Sequence, residues 1–194
     1  CVGKTHNNGE SLKKINVTFI KNLLKYIRSD HEKVRFIHLS SVSVYGADQE
    51  YINENKIIKE NTATKAISVY SKSKLSGELL IKNEVKKKIN RNFSFTILRI
   101  TNVFGNKKKS NLYNFVLFSL KFRFWIKCSN QIMYNFINVK DISQSVRLTI
   151  SKLKVSKNKT YIVSDDCKQF QFYYYYQKFY KKKIITISLP IHLI

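Results

Sequence analysis

This sequence predicts an α/β fold whose strands run parallel, and three observations carry the prediction. Stretches of helical and strand periodicity alternate through the first half of the chain. A short apolar run, Val34 to Leu39, leads into the hydroxyl pair Ser40-Ser41. A later helix carries Tyr70 and Lys74 on one face.

The elements follow in order. Over residues 10 to 29, Leu12, Ile15, Phe19, Ile20, Leu23, Leu24 and Ile27 recur at near-helical spacing and predict a helix with these side chains inward. Val34 to Leu39 reads as a short buried strand. The polar stretch from Ala47 to Ala66 predicts a loop, and compact domains rarely keep long idle loops. A second helix is predicted from residue 68 to about 88, with Leu75, Leu79, Leu80 and Ile81 on its apolar side. Phe93 to Leu98 is a second strand, followed by a turn at Gly105-Asn106. Farther on, Leu112 to Phe122 predicts a helix and Asn135 to Val139 a strand. Asp141 to Leu153 predicts a helix with Asp141 near its N-cap, and Thr160 to Val163 a strand. The aromatic run from Gln169 to Tyr180 fits either period. With one Pro and five Gly, the turns must rest on Asn, Asp and Ser.

Composition bounds the function. Of 194 residues, 43% are hydrophobic, enough for a packed core. No apolar run is long enough to cross a membrane as a helix. The cysteines Cys1, Cys128 and Cys167 are odd in number and lack CxxC spacing, which argues against a disulfide framework or a metal site and for a reducing, cytoplasmic setting. The net charge of +24 could mark a nucleic-acid partner. However, most of the basic residues are Lys, spread along the chain, whereas bidentate phosphate and base readers tend to be Arg. No specific nucleic-acid partner is therefore expected. The diffuse positive field suits a small anionic substrate instead. A basic nucleic-acid-binding protein stays as the alternative from a different class, decided by affinity for DNA or RNA at physiological salt.

Chemistry is concentrated in Tyr70-Ser71-Lys72-Ser73-Lys74. Tyr and Lys four apart lie one helical turn from each other. An ammonium beside a phenol favours the phenolate over its reference pKa of about 10, so such a Tyr can exchange a proton with a substrate hydroxyl near neutral pH. Ser40-Ser41-Val42-Ser43-Val44-Tyr45-Gly46 ends the preceding strand, the edge at which open α/β sheets bind ligands. A hydroxyl there can bond the oxygen whose proton the Tyr handles.

Ser, Tyr and Lys in this order resemble the catalytic set of the short-chain dehydrogenase/reductase family, and the full run resembles its extended branch, the nucleotide-sugar epimerases, reductases and dehydratases. Ile97-Leu98-Arg99-Ile100-Thr101-Asn102-Val103-Phe104-Gly105 is similar to the branch's LRxxNVYG segment. Phe136 to Asp141 is similar to its strand-to-helix segment, and Val163-Ser164-Asp165-Asp166 to a later strand end. The resemblance implies a Rossmann-like, doubly wound parallel sheet. It implies Ser41, Tyr70 and Lys74 as catalytic residues, and NAD or NADP held by Ser40, Tyr70, Lys74, Gly3 and Ile100. Asn102 and Asn111 would contact the diphosphate or uridine of a nucleotide sugar. Residues 1 to 105 would belong to the cofactor domain and 106 to 194 to a small substrate lobe, with 134 to 165 returning to the sheet. The branch also implies a possible homodimer. Its dehydratases place Asp-Glu just after the catalytic hydroxyl residue, where this chain has Val42 and Ser43, so an epimerase or 4-keto reductase on a UDP-hexose or UDP-N-acetylhexosamine is the better match. The segments Cys1 to His6 and Lys109 to Leu112 resemble members serving surface-polysaccharide synthesis.

The chain also departs from the family. Ile100 stands where a Pro is common, and Tyr134 where many members have an Arg for the substrate diphosphate. The chain has no starting Met and no GxxGxxG turn, the turn that in this family holds the pyrophosphate at a helix N-terminus. The sequence therefore predicts a partial sheet lacking its first βαβ units, about 70 residues, and a fragment inactive on its own or a non-catalytic remnant.

Overall fold

The computed structural model describes residues 9–29, 33–46, 57–87, 92–104, 118–119, 121–128, 133–168 and 185–189. Two compact units divide the chain: residues 1–101 with 144–163, and residues 102–143 with 164–194. The elements in chain order are α1 (Gly9–Lys13), a π-helical turn (Lys14–Thr18), α2 (Phe19–Ser29), β1 (Val34–Ser41), a 3-10 turn (Val42–Tyr45), α3 (Val69–Lys86), β2 (Phe93–Ile100) and β3 (Asn102–Phe104). They continue with β4 (Phe124–Cys128), β5 (Met133–Asn138), α4 (Val139–Ser151), α5 (Leu153–Ser156), β6 (Lys159–Val163), β7 (Asp165–Lys168) and β8 (Ile185–Leu189).

In the first unit, β1, β2 and β6 form a parallel sheet with β2 in the middle. All eight residues of β2 are buried. The expected parallel α/β arrangement is what the chain adopts. Both β1 and β2 run two residues beyond the apolar stretches that predict them. Of those extra residues, Ser40 and Arg99 have polar partners in Glu78, while Ser41 pairs across the ladder with Ile100, which is buried. Ile20, Leu24, Ile81, Phe93, Phe95 and Ile97 make the core, with Phe36, Leu80 and Val85 packed against it. Burial of such side chains stabilises by about 1.5–3 kcal/mol each.

Along the first helical stretch the inward positions are Leu12, Asn16, Ile20 and Leu24. A spacing of four drifts round an α-helix of 3.6 residues per turn. The wider π turn winds the row back onto one side. Phe19, expected inward, is 45% exposed for the same reason, and Asn16 is buried.

The inward face of α3 is mostly polar: Ser71, Ser73, Lys74, Gly77, Glu78, Ile81 and Glu84 are buried. Leu79, expected on the apolar side, is 50% exposed. Directional partners set this face. Asn16 Nδ2 donates to Ser73 Oγ at 3.1 Å, and a Cβ on Gly77 would lie 2.8 Å from the Asn16 carbonyl oxygen. The hydroxyl of Ser68 caps the helix, accepting the Ser71 N–H at 3.1 Å.

Entry into β6 is shaped by Asn158, which sits in the left-handed region at φ 57°. Its N–H donates to the Phe95 carbonyl at 2.7 Å and its Oδ1 accepts the Phe95 N–H at 3.1 Å. Thr96 Oγ1 donates to the Ser156 carbonyl at 2.8 Å. These bonds align β6 with the second half of β2.

In the second unit, β5 lies between β3, to which it is parallel, and β7, to which it is antiparallel. Asn135 Nδ2 donates to Asp166 Oδ1 at 2.6 Å across β5 and β7. A separate parallel pair joins β4 to β8 around the buried Trp125. Of the segment 134–165, β6 therefore joins the first sheet, while β5 belongs to the second unit. The helix expected at 112–122 is helical at 118–119 and 121–122; its other residues, the turn at Gly105-Asn106 and the aromatic run at 169–180 lie outside the described residues.

Candidate active site

The sheet register brings the site-bearing strand ends level. Ser41 pairs with Ile100, and Ile100 with Val163, so β1, β2 and β6 finish side by side at their C-terminal ends. Ser41 is half-buried and its Oγ accepts the Ser43 N–H at 3.2 Å, which starts the 3-10 turn. The hydroxyls of Ser41 and Ser43 are 3.0 Å apart, with Ser43 donating. In that arrangement the Ser41 proton can be turned outward toward a ligand oxygen. Gly46 closes the turn at φ +82°, and a Cβ there would lie 2.7 Å from the Lys65 carbonyl oxygen. The Lys65 N–H donates to the Val44 carbonyl at 2.9 Å, tying the segment that leads into α3 to the same turn.

Tyr70 lies in the first turn of α3 and Lys74 one turn later. The Lys74 Nζ donates to the Leu39 carbonyl at 3.1 Å, on β1 two residues before Ser41, and sits 5.9 Å from the centre of the Tyr70 ring. Burial pulls the Lys74 ammonium below the ordinary lysine value, while the nearby Glu78 carboxylate works in the opposite direction. An ammonium has three N–H donors, so one bonded to Leu39 leaves others for vicinal hydroxyls such as those of a ribose. That donor set fits the ribose of a nicotinamide cofactor.

Beneath these groups lies a buried polar layer. Glu78 Oε1 accepts from Ser40 Oγ at 2.6 Å and from Arg99 Nε at 3.0 Å, and Glu78 Oε2 accepts from the other arm of Arg99 at 2.7 Å. Arg99 also donates to the Tyr45 hydroxyl and stacks over that ring at 4.6 Å. The Tyr45 hydroxyl donates to the Glu60 carbonyl at 3.4 Å, and Glu60 Oε1 accepts the Ile162 N–H at 3.1 Å. Burial alone would raise the Glu78 carboxyl, but the bonds from Arg99 and Ser40 and the charges of Arg99 and Lys82 outweigh it and hold it below the usual range. Burial raises the Tyr45 phenol against the opposing pull of Arg99. His38, on β1, is also buried, and its Nε2 meets no hydrogen-bond partner among the described residues. Burial first, and then the Lys74 charge, lower its pKa from 6.5 to about 4.

Of the residues singled out in the sequence, Ser40, Ser41, Tyr70, Lys74 and Ile100 all fall in the first unit. Ser40 directs its hydroxyl inward to Glu78, so its side chain is committed to the protein. Asn102 opens β3 in the second unit and is exposed. Gly3 and Asn111 lie outside the described residues. Sequence reasoning missed Asn16, Ser43, Glu78 and Arg99. A signal existed for two of them: an Arg inside an apolar strand must find a buried partner, and Glu78 lies one turn from Lys74 on the same helix.

The sequence profile described as the NAD dependent epimerase/dehydratase family matches residues 1–123. The chain belongs to that family. No curated protein matches its sequence significantly. Among solved structures, it is similar to the UDP-glucuronic acid 4-epimerase of Bacillus cereus in complex with NAD, with a TM-score of 0.72 at 19% identity over 97% of this chain and 61% of that one. RMD from Pseudomonas aeruginosa, complexed with NADPH, gives 0.75 at 17% identity over 97% of this chain and 68% of that one. The UDP-N-acetylglucosamine 4-epimerase of Methanobrevibacter ruminantium gives 0.69 at 21% identity over 90% of this chain and 56% of that one. The likeness is one of fold, and it makes the family member's parallel sheet Rossmann-like. The chain spans about three-fifths of the length of the Bacillus cereus enzyme. Among the described residues, no group of three or more His, Cys, Asp or Glu could hold a metal ion, and no helix is long and apolar enough to cross a membrane. A cavity of about 490 Å³ between α2 and α3 is lined by Lys21, Leu24, Lys25, Leu80, Glu84 and Lys87.

Proposed function

We propose that the protein is an NAD(P)-dependent nucleotide-sugar epimerase or 4-keto reductase acting on a UDP-hexose or UDP-N-acetylhexosamine. One observation carries this reading: the Lys74 ammonium donates to the Leu39 carbonyl near the end of β1 and lies 5.9 Å from the centre of the Tyr70 ring. This supports reading Tyr70 as a proton-transfer group near the end of β1, where the Ser41 hydroxyl also stands. Tyr70 takes the proton of the sugar hydroxyl and returns it in the reverse step. Lys74 favours the phenolate by its charge and offers its remaining N–H donors to the ribose of the cofactor. Ser41, its oxygen already accepting from Ser43, donates to the reacting sugar oxygen. The nicotinamide, when bound, supplies the hydride acceptor and donor. Ile100 beside Ser41 is an apolar wall for the cofactor.

Val42 and Ser43 offer no acid and base for removing water from the sugar, which favours epimerisation or reduction over dehydration. The likeness in fold to two UDP-sugar 4-epimerases supports a UDP-sugar substrate. Asn102 and Asn111 are the residues this reading gives to the substrate nucleotide. It extends to a role in surface-polysaccharide synthesis, a cytoplasmic location and a homodimer. The test uses the product of the complete gene with NAD⁺ or NADP⁺ and a panel of UDP-sugars, read by product analysis. Interconversion of 4-epimers or reduction of a 4-keto sugar is expected. No turnover, or turnover of a steroid or flavonoid alone, would overturn the reading.

A further inference from the structure

Glu78 and Arg99 are buried between α3 and β2. Their side chains are 0% and 3% exposed, and they form a two-armed ion pair. Buried pairs of this kind are often no more stabilising than well-packed apolar residues of similar size. What they add is direction, because each bond holds only over a narrow range of distance and angle. The bonds of this pair surround Ser41 in sequence. On one side, Glu78 accepts from Ser40; on the other, Arg99 donates to Tyr45, which ends the turn that Ser41 caps. Ser40 and Arg99 are also direct neighbours across the β1–β2 ladder. On α3, Glu78 lies one turn from Lys74 and two from Tyr70. Among the buried residues of α3, Ile81 is the one large apolar side chain, so directional polar bonds carry much of the register between this helix and the sheet.

We propose that the Glu78–Arg99 ion pair is a positioning pair, setting the depth of α3 against the ends of β1 and β2 so that Tyr70 and Lys74 face Ser41 at working distance. This rests on the epimerase or reductase reading above. Neither residue touches substrate; both act through Ser40, Tyr45 and the helix. The groups around the pair are His38 and Ser40 on β1, Tyr45 in the turn, Glu60 in the following segment, and Lys74 and Lys82 on α3.

The experiment measures kcat, KM and melting temperature of the complete gene product and of Glu78→Leu/Arg99→Met, which replaces both charges with apolar side chains of similar length. The variant should melt within a few degrees of the parent, while kcat falls on the order of 10²-fold and KM stays within about threefold, as displacements of about 1 Å can produce. Arg99→Lys, which keeps the charge and loses the fork, should fall between the two. A folded double variant with unchanged kcat, or with KM alone raised, overturns the proposal. Should that variant not fold, Tyr45→Phe decides: it removes one hydroxyl from the layer, and the proposal requires kcat to drop by about tenfold at unchanged KM. A parent protein that turns over no UDP-sugar overturns the functional reading and this proposal with it; an active parent with an unaffected variant overturns the proposal alone.

Discussion

The backbone carbonyl of Asn16 lies where Gly77 of α3 leaves room for it, so a π turn in one helix is seated directly on the backbone of another. The Asn16 side chain extends the contact to Ser73, whose hydroxyl in turn donates to the Tyr70 carbonyl at 2.7 Å. The first turn of α3 is thus supported from outside the sheet.

Gly77→Ala should test this seating. The added methyl would meet a backbone oxygen at 2.8 Å and Ile20 Cδ1 at 2.9 Å, and backbone cannot move aside cheaply. A loss of about 1–3 kcal/mol in denaturant unfolding is expected, against the gain that Ala ordinarily brings in a helix. A stabilised variant would show the contact to be looser than described.

Tyr70→Phe and Lys74→Met should each lower kcat of the complete enzyme by about 10²- to 10⁴-fold, the range for a positioned proton-transfer group. Circular dichroism should show both folded, since Tyr70 lies only half-buried at the start of α3 and Met keeps the apolar stem of the buried Lys74. Near-wild-type turnover by Tyr70→Phe would remove it from the chemistry.

The two serines of the turn should separate. Ser41→Ala loses the donor to the substrate oxygen, and a fall of about 10²- to 10³-fold in kcat is expected. Ser43→Ala leaves the backbone cap intact and removes only the hydroxyl that donates into Ser41, so a fall below about tenfold is expected. Equal losses in the two variants would contradict this ordering.

Acid should weaken the fold through His38. Its pKa is about 4 in the folded chain against 6.5 ordinarily, so from pH 6.5 downward the unfolded chain takes up a proton that the folded chain refuses. Stability falls as pH drops through this window, by roughly 3 kcal/mol at 1.36 kcal/mol per unit, and the loss is complete near pH 4. The lowered Glu78 carboxyl adds stability that is lost as pH falls below about 4.5. His38→Leu, which fills the site without titrating, should flatten the stability profile between pH 6.5 and 4. An unchanged slope in that variant would assign the acid sensitivity elsewhere.

Much of the first unit was legible in the chain because its signals are local. The apolar run into Ser40-Ser41, the period of α3 and the alternation at Phe93 each need only neighbouring residues to be read. The places of Ser41 at the end of β1 and of Tyr70 and Lys74 one turn apart on α3 were legible through spacing along recognisable elements. The polar layer carried only a partial signal, the Arg within an apolar strand, since the burial of Glu78 is decided by Arg99, 21 residues away, and helical spacing by itself does not turn a carboxylate inward and Leu79 outward. The π turn was equally hidden: Asn16 is a surface residue by type, and only its contact with Ser73 and Gly77 gives it an interior place. The fates of β5 and β6, assigned to different units, depend on pairing between distant strands.

The central strand β2 has a consequence in time as well as in space. Its partner β1 is made before it, but its other partner, β6, is complete only at residue 163. While the ribosome adds the intervening residues, the nascent chain holds β2 with one side of its ladder unmatched, next to eight side chains destined for burial. A newborn chain stalled anywhere in this interval carries a sticky, sheet-templating flank. The order of synthesis thus leaves a polypeptide ending before residue 159 with the β6 side of β2 uncovered.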